Sequence, residues 1–294
     1  MPGERAIAAA TCADEEGTYP TMKVSIIIPV YNEARTLATL LARVWAQALP
    51  GASKEIIIIE SGSTDGSRTI VAEFVANHAD DPAVRIHALH EERPRGKGHA
   101  VRAGFRAATG DILLIQDADL EYDTADYPAL LSPIIEGQAA FVLGSRHLGP
   151  KRWNIRSFSE SGVLSAWMNL GGMLFHGFFN VLFSTHITDP TSMYKVFRAD
   201  CLDGLSFECN RFDFDFELLG KLLRAGFHPL EVPVFYESRG FDEGKKIRML
   251  RDPATWVLAI LKTRFTSLRR GSDASKEFAG KQRYRKNPAA RPSS

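Results

Sequence analysis

The sequence predicts an α/β fold built on a largely parallel sheet, and three observations carry that expectation. Short β-branched runs alternate with amphipathic helical segments through the first half of the chain. Those runs are apolar at consecutive positions, and acidic or small residues collect immediately after them. A strand covered on both faces needs apolar residues at every position, and helices between such strands supply the crossovers of a parallel sheet. With 294 residues, 45% hydrophobic and 24% charged, the chain suits one large domain with embellishments or two small ones.

Residues 24–29 (VSIIIP) form the first expected strand, closed by proline. Residues 34–47 carry Leu37, Leu40, Leu41 and Val44 at helical spacing. The second strand is 55–59 (EIIII), followed by a helix over 67–76 and a strand over 84–89. A helix over 97–108 sets Val101, Phe105 and Ala108 on one face, and 112–115 (ILLI) is the fourth strand. Residues 129–136 are helical and 140–143 make the fifth strand. Past Gly149 the alternation breaks. A basic loop with Lys151, Arg152 and Arg156 leads into an apolar helix over 163–183. A strand over 194–197, a helix over 214–224 and a strand over 230–235 follow. After a polar, glycine-containing loop over 237–246, Asp252 is the expected cap of a last helix whose first residue is Pro253.

Lys+Arg is 36 against Asp+Glu 35, which argues against a whole-surface polyanion binder. The balance hides an asymmetry: 262–294 holds ten basic and two acidic residues, leaving 26 basic and 33 acidic in the rest. A basic end on an acidic body fits an anionic surface, membrane or nucleic acid, and fits equally a solvated tail. Cys12, Cys201 and Cys209 have no CxxC spacing, so neither a zinc cluster nor a disulfide framework follows and a reducing compartment is expected. Residues 1–22 read as a disordered leader without signal-peptide character, interrupted by Glu4, Asp14, Glu15 and Glu16.

In a parallel sheet, ligands bind at the carboxyl ends of the strands. Glu33 stands near the first such end, Glu60 and Asp65 follow the second, and Asp117, Asp119 and Glu121 follow the fourth. No GxGxxG follows the first strand and neither Gly96-Lys97 nor Gly244-Lys245 has P-loop spacing, so dehydrogenase and P-loop NTPase readings fail. Two carboxylates flanking Ala118 can face one hard divalent cation, Mg²⁺ or Mn²⁺, with room left for a diphosphate. A solvated acidic turn is the alternative. Three carboxylates after a buried strand repel one another unless a cation or ligand offsets them.

Taken in order, Pro29-Val30-Tyr31-Asn32-Glu33, Glu60-Ser61-Gly62-Ser63-Thr64-Asp65, Gly96-Lys97-Gly98 and Asp117-Ala118-Asp119 resemble the signatures of the inverting family 2 glycosyltransferases of GT-A fold. The nearest likeness is to the dolichyl- or polyprenyl-phosphate hexose synthases. It runs on through Gly144-Ser145-Arg146, the 188–195 segment TDPTSMYK and Glu231-Val232-Pro233-Val234, covering about 23–265. The resemblance implies that Pro29, Tyr31, Glu33, Glu60, Asp65, Lys97, Asp117, Ala118 and Asp119 bind the nucleotide sugar, of GDP-mannose or UDP-glucose type. Asp117, Asp119 and Glu121 would hold the metal. Glu60 departs from the usual Asp, and Asp65 has helix capping as its alternative role. Lys97, in a glycine-flanked turn, meets phosphate or is a surface residue.

Arg146, Arg239 and Lys245 are implied contacts to the phosphate of a lipid acceptor. Asp213, Asp215 and Glu217 occupy the region where the family often carries an acidic residue, and Asp119, Asp215 and Glu217 are the catalytic candidates; the last two have a structural alternative. A phosphate acceptor is already an anion near neutral pH and needs no base, whereas a sugar hydroxyl does. Gly149 stands where processive polysaccharide synthases have the Gln of QxxRW, which disfavours chain elongation.

Two helices point to a membrane surface. Over 163–183, Asn169, His176 and Asn180 make one polar stripe on an apolar cylinder, an interfacial or a core pattern. In the last helix Val257, Leu261, Phe265 and Leu268 are set against Lys262, Arg264, Arg269 and Arg270. The expected organisation is a leader over 1–22 and a GT-A domain over 23–247, with a nucleotide-sugar half over 23–145 and an acceptor half over 146–247. An interfacial helix over 248–270 and a disordered basic tail over 271–294 complete it. The expected protein is a cytoplasmic enzyme, peripheral at the inner face of the membrane, docked on anionic lipid or a membrane-protein partner. The alternatives are transfer to a glycan or small-molecule hydroxyl, and a non-catalytic nucleotide-sugar-binding or scaffold protein. Little aromatic interleaving in the tail disfavours nucleic acid.

Overall fold

The computed structural model describes residues 22–148, 162–238, 251–266 and 268. In chain order the elements are β1 (Met22–Val30), α1 (Leu37–Ala46), β2 (Ala52–Glu60), α2 (Ser67–Asn77), β3 (Val84–His90), α3 (Lys97–Ala107) and β4 (Ile112–Ile115). Then come α4 (Tyr127–Ile135), β5 (Phe141–Ser145), α5 (Gly162–Phe183), β6 (Lys195–Arg198), α6 (Phe214–Arg224), β7 (Leu230–Pro233) and α7 (Arg251–Phe265).

The strands form one sheet in the order β3-β2-β1-β4-β6-β5-β7. Every pairing is parallel except those of β6, which runs against both β4 and β5. Ile26, Ile27 and Ile28 of β1, Ile56 to Ile59 of β2 and all of β4 are fully buried. Consecutive strand residues point to opposite faces, so this pattern means that the centre of the sheet is covered on both sides. Helix α3 packs on β1 and β2, α4 on β5, β6 and β7, and α6 joins α3 to α7.

At the amino-terminal pole, buried Glu55 accepts from Ser25 Oγ at 2.6 Å, Thr109 N at 2.5 Å and Thr109 Oγ1 at 2.7 Å. Burial alone would raise its carboxyl, but these hydrogen bonds outweigh it and hold the group below the usual range. The buried carboxylate at that pole is thereby satisfied by its neighbours.

The expected elements all form, with local shifts. Helix α1 starts at Leu37 because the Glu33 carbonyl accepts from both Thr36 N and Leu37 N, which turns 34–36 before the helix. Helix α7 starts at Arg251, so Asp252 lies in its first turn and not ahead of it as a cap. Two residues of the polar stripe of α5 face the protein: His176 is buried, and Asn180 brackets Ile187 with hydrogen bonds of 2.8 and 3.0 Å, while the side chain of Asn169 lies outside the described ones. Met173, Leu174, Phe178 and Val181 are the exposed side, Val181 at 83%.

Helix α7 is not separate from the body. Trp256 packs against Phe175 and Phe216, Ile260 is fully buried, Lys262 pairs with Glu208 at 2.6 Å, and Arg264 donates to the Leu182 carbonyl. Its cations therefore serve the fold, and its exposed apolar residues are Leu258 and Phe265. Among the described residues no helix is long and apolar enough to cross a membrane. Residues 1–21, Lys151, Arg152, Arg156, the loop from 239 to 246 and the tail lie outside the described residues.

Gly96 and Gly98 show why the turn before α3 has its sequence. Gly96 has φ of +104°, and a Cβ there would run into the Asn210 carbonyl. A Cβ on Gly98 would lie 2.7 Å from the Cys209 carbonyl and would overlap Phe214. Gly98→Ala should therefore force α3 away from α6 and destabilise the fold by about 1–3 kcal/mol. Chemical denaturation measures this, and an unchanged midpoint would refute the packing account.

Candidate functional site

The carboxyl ends of β2, β1 and β4 stand side by side, in register from Val30↔Glu60 on one side and Ile27↔Ile115 on the other. Around the first two, the loops are laced together. Asn32, at φ of +50°, accepts from Thr64 N at 2.8 Å while its own N–H donates to Ser63 Oγ at 3.0 Å. Asp65 accepts from Ala34 N at 2.9 Å, Ser67 N at 3.0 Å and Ser67 Oγ at 2.7 Å. Burial opposes these hydrogen bonds, yet they hold its carboxyl below the usual range. Asp65 thus ties the β1 turn to the start of α2.

Glu60 is fully buried: Oε1 accepts from Ser63 N at 2.6 Å, while Oε2 lies 3.6 Å from His90 Nδ1 and 3.7 Å from Arg68 Nε. No hydrogen bond reaches Oε2 among the described residues. Pro29 is half-buried and Tyr31 is 37% exposed at the same edge, next to the Glu33 turn.

Past β4 the chain turns on Gln116, which is fully buried. Its Oε1 lies 2.9 Å from the hydroxyls of both Tyr127 and Tyr194, and its Nε2 donates to the Asp117 carbonyl at 3.0 Å. Thr36 Oγ1 donates to the Ala118 carbonyl at 3.0 Å. The turn is thereby fixed from both sides. Buried Asp119 accepts from Glu121 N at 3.1 Å, and Glu121 Oε2 accepts from Tyr236 Oη at 3.0 Å. Burial pushes the Asp117 carboxyl up, the like charges of Asp215 and Glu121 add to that, and Lys97 opposes it.

Lys97, placed by its two glycines, puts Nζ 3.0 Å from Asp117 Oδ1 and 3.3 Å from Asp215 Oδ2. Burial alone would lower its ammonium, but these two carboxylates raise it. Asp215 Oδ1 in turn lies 3.8 Å from Nζ of Lys195, a wholly buried lysine whose ammonium is pushed down by burial and pulled back by Asp215. Four charges of alternating sign therefore run Lys195, Asp215, Lys97, Asp117.

Arg146 follows β5 and forks onto Asp189, with Nε to Oδ2 at 2.7 Å, Nη2 to Oδ1 at 2.8 Å, and its backbone N–H on the same carboxylate at 3.1 Å. Thr191 Oγ1 adds a further donor at 2.9 Å, and Asp189 N itself donates to Glu231 of β7 at 3.3 Å. Asp189 is fully buried; burial would raise its carboxyl, and Arg146 overrides that and holds it well below the usual range. The Arg146 guanidinium also lies 4.8 Å from the centre of the Tyr236 ring. Tyr236 thus joins Glu121 to the Arg146–Asp189 pair.

The structure brings together Asp117, Lys97 and Asp215, and it links Glu121 to Arg146 through Tyr236. It does not bring Glu217 there. Glu217 accepts from Glu208 N and Cys209 N at 2.8–3.1 Å and pairs with Lys221 at 2.6 Å, which anchors the 206–209 loop. Its geometry is that of the structural alternative. Arg239 and Lys245 lie outside the described residues. The 188–195 segment carries Asp189 and Lys195 as part of the resemblance without a role for either, and Gln116 has no signal in the sequence beyond its place after a buried strand.

Asp117, Asp119 and Glu121 offer an all-oxygen donor set after a buried strand, which fits a hard divalent cation. Burial first, and then the like charges of Asp215 and Glu121, lift the Asp117 carboxyl, and a bound cation would offset both. A second grouping, His147, His176 and Asp189, brings one possible ligand atom each within 4.8 Å. There Arg146 already pairs with the carboxylate, as Lys97 does with Asp117.

The family model described as glycosyl transferase family 2 matches residues 25–203. Glycosyltransferase AglD of Haloferax volcanii is 31% identical over 268 residues, 89% of this chain but only 39% of that protein's length. The undecaprenyl-phosphate mannosyltransferase of Micrococcus luteus is 29% identical over 231 residues, 76% of this chain and 87% of that one. Polyprenol monophosphomannose synthase of Mycolicibacterium smegmatis is 27% identical over 248 residues, 81% of this chain and 86% of that one. In fold, the chain is similar to glucosyl-3-phosphoglycerate synthase of Mycobacterium tuberculosis, solved with Mn²⁺, uridine diphosphate and phosphoglyceric acid. The TM-score is 0.60 at 17% identity, over 84% of this chain and 80% of that one.

Asp189→Asn leaves Arg146 without its charge partner, and breaking such a pair costs about 3–5 kcal/mol. Chemical denaturation at pH 7 should show that loss. The folded-state carboxyl lies below its unfolded value of about 4, so the stabilisation is complete above that pH and drains away as the pH falls toward the depressed value. The variant's deficit should shrink over the same acid range. Equal stability of the two proteins at pH 7 would refute the assignment.

Proposed function

The chain belongs to glycosyl transferase family 2, and we propose that it transfers a hexose from a nucleotide sugar to a polyprenyl phosphate, with inversion at the anomeric carbon. Two relatives of nearly full-length overlap are named for sugar transfer to a polyprenol or its phosphate, which supports the acceptor class. The single observation that carries this reading is the pairing of Asp215. The only acidic side chain of α6 at the site is flanked by two lysine ammonium groups, 3.3 and 3.8 Å away, so both of its oxygens already face a cation and neither is left for an acceptor hydroxyl. A phosphate acceptor arrives as an anion and needs no such base.

In this reading the β1 and β2 loops, with Pro29, Tyr31, Glu33 and Glu60, receive the nucleoside of a GDP-mannose or UDP-glucose type donor. Asp65 holds those loops together. Asp117, Asp119 and Glu121 hold Mg²⁺ or Mn²⁺, which offsets the charge building on the departing diphosphate. Lys97 adds a second cation beside it. An acceptor phosphate oxygen attacks the anomeric carbon as the bond to the diphosphate breaks, its electron pair leaving with the nucleoside diphosphate. Arg146 is spoken for by Asp189 on two nitrogens, so its part is to shape the acceptor side and hold Tyr236 there; Arg239 and Lys245 complete the acceptor contacts.

The exposed apolar side of α5 (Met173, Leu174, Phe178, Val181) and Leu258 and Phe265 of α7 supply a face for the lipid surface on which the acceptor resides. The reading places the enzyme as a peripheral protein at the inner face of the membrane, held there by anionic lipid.

Two outcomes test this. Asp119→Asn keeps the acceptor for Glu121 N but removes an anionic ligand, so transfer should fall by about 100-fold or more with an unchanged melting curve. The assay is a panel of radiolabelled nucleotide sugars with Mn²⁺ and short polyprenyl phosphates, and label confined to the aqueous phase would select a hydroxyl acceptor instead. Leu174→Asp combined with Val181→Asp should reduce sedimentation with anionic vesicles. Undiminished sedimentation would remove that face from the docking surface.

A further inference from the structure

The family 2 pattern marks Asp215 as a base candidate, yet its surroundings describe another task. Its Oδ2 is 3.3 Å from Lys97 Nζ, and its Oδ1 is 3.8 Å from Lys195 Nζ with no hydrogen bond among the described residues. Lys195 is held by the Ser192 carbonyl inside the core, so it acts on Asp215 as a fixed charge. Asp215 also sits in the first turn of α6, where the helix amides favour a negative charge. These contacts aim its Oδ2 at Lys97.

Lys97 is the movable member. A lysine is a compact cation on a four-carbon stem, and this one bridges two carboxylates, of which Asp117 belongs to the donor set described above. A divalent cation arriving at Asp117 must push the ammonium aside. The Lys97 side chain is only 11% exposed, so its ammonium, once displaced, would be stranded without a counter-charge unless one waited beside it. We infer that Asp215 is a positioning residue that holds Lys97 by Oδ2, so that the lysine serves as an exchangeable counter-ion for Asp117 and yields that carboxylate to an incoming divalent cation. The inference rests on the metal reading of Asp117 and Asp119 and adds a place for the cation that leaves.

Mn²⁺ affinity of the full chain, followed by electron paramagnetic resonance of the free ion, tests it without any assay of transfer. Lys97→Met removes the competitor and should tighten Mn²⁺ binding about tenfold, while Asp215→Asn should weaken it about tenfold. The deciding measurement is the double variant. If Asp215 acts through Lys97, adding Asp215→Asn to Lys97→Met should change affinity by less than about twofold. Asp215→Glu should restore most of the wild-type affinity.

Equal weakening by Asp215→Asn in both backgrounds would overturn the inference in favour of a simple field effect. So would a Lys97→Met protein that binds Mn²⁺ like wild type. Wild-type protein whose Mn²⁺ binding is absent, or indifferent to Asp119→Asn, would overturn the metal reading and the inference with it. Circular dichroism verifies folding, and Lys97→Gln replaces Lys97→Met should the latter not fold.

Discussion

One backbone choice governs the rest: β6 runs against its neighbours. Because Leu114 pairs with Val196 and Leu143 with Lys195, the start of β6 lies at the carboxyl ends of β4 and β5. In an all-parallel sheet the segment before that strand would emerge at the opposite pole, beside Glu55. Instead Asp189, Thr191 and Lys195 arrive where β4 delivers Asp117. The antiparallel insertion costs nothing in ladder hydrogen bonds. It brings charges from two distant stretches of chain to one edge.

Once there, those charges need one another. A sheet buried on both faces leaves little water at its edge, so each ionised group has to find an opposite charge or a dipole. The site meets this twice. Arg146 and Asp189 close on each other as a fork and become a fixed strut. The Lys195, Asp215, Lys97, Asp117 series stays open at one end, because Asp117 is partly exposed and its lysine is shared. Rigid pairing on one side and shared pairing on the other divides the site into a part that holds shape and a part that can accept a ligand.

Much of this was legible beforehand. The buried strands announced themselves as unbroken apolar runs, and the acidic residues after β2 and β4 marked the strand ends that the fold sets side by side, because both signals are local in sequence. What escaped were properties set by partners far away in the chain. Lys195 reads as an ordinary residue until Asp215 is brought beside it, and Arg146 reads as an open cation until Asp189 closes it. Glu217 looks as reactive as Asp215, two positions earlier, yet the helix turns it toward the 206–209 loop. The stripe on α5 was visible, but only packing decides which side of a helix faces in; Asn180 needed the Ile187 backbone as its partner, and that fixed the direction.

The same register has an evolutionary meaning. The chain leaves the sheet at Ser145 and returns at Lys195, and the paired residues Leu143 and Lys195 keep the two ends of that excursion next to each other. A stretch whose ends are neighbours can be lengthened, shortened or replaced at small entropic cost. The ladder of β1, β2 and β4 keeps its register through such an exchange provided that the residues just before β6 are retained, because Tyr194 holds Gln116 at the turn that carries Asp117. The fold therefore behaves as a socket whose insert between β5 and the residues leading into β6 can change in length without unpairing the sheet.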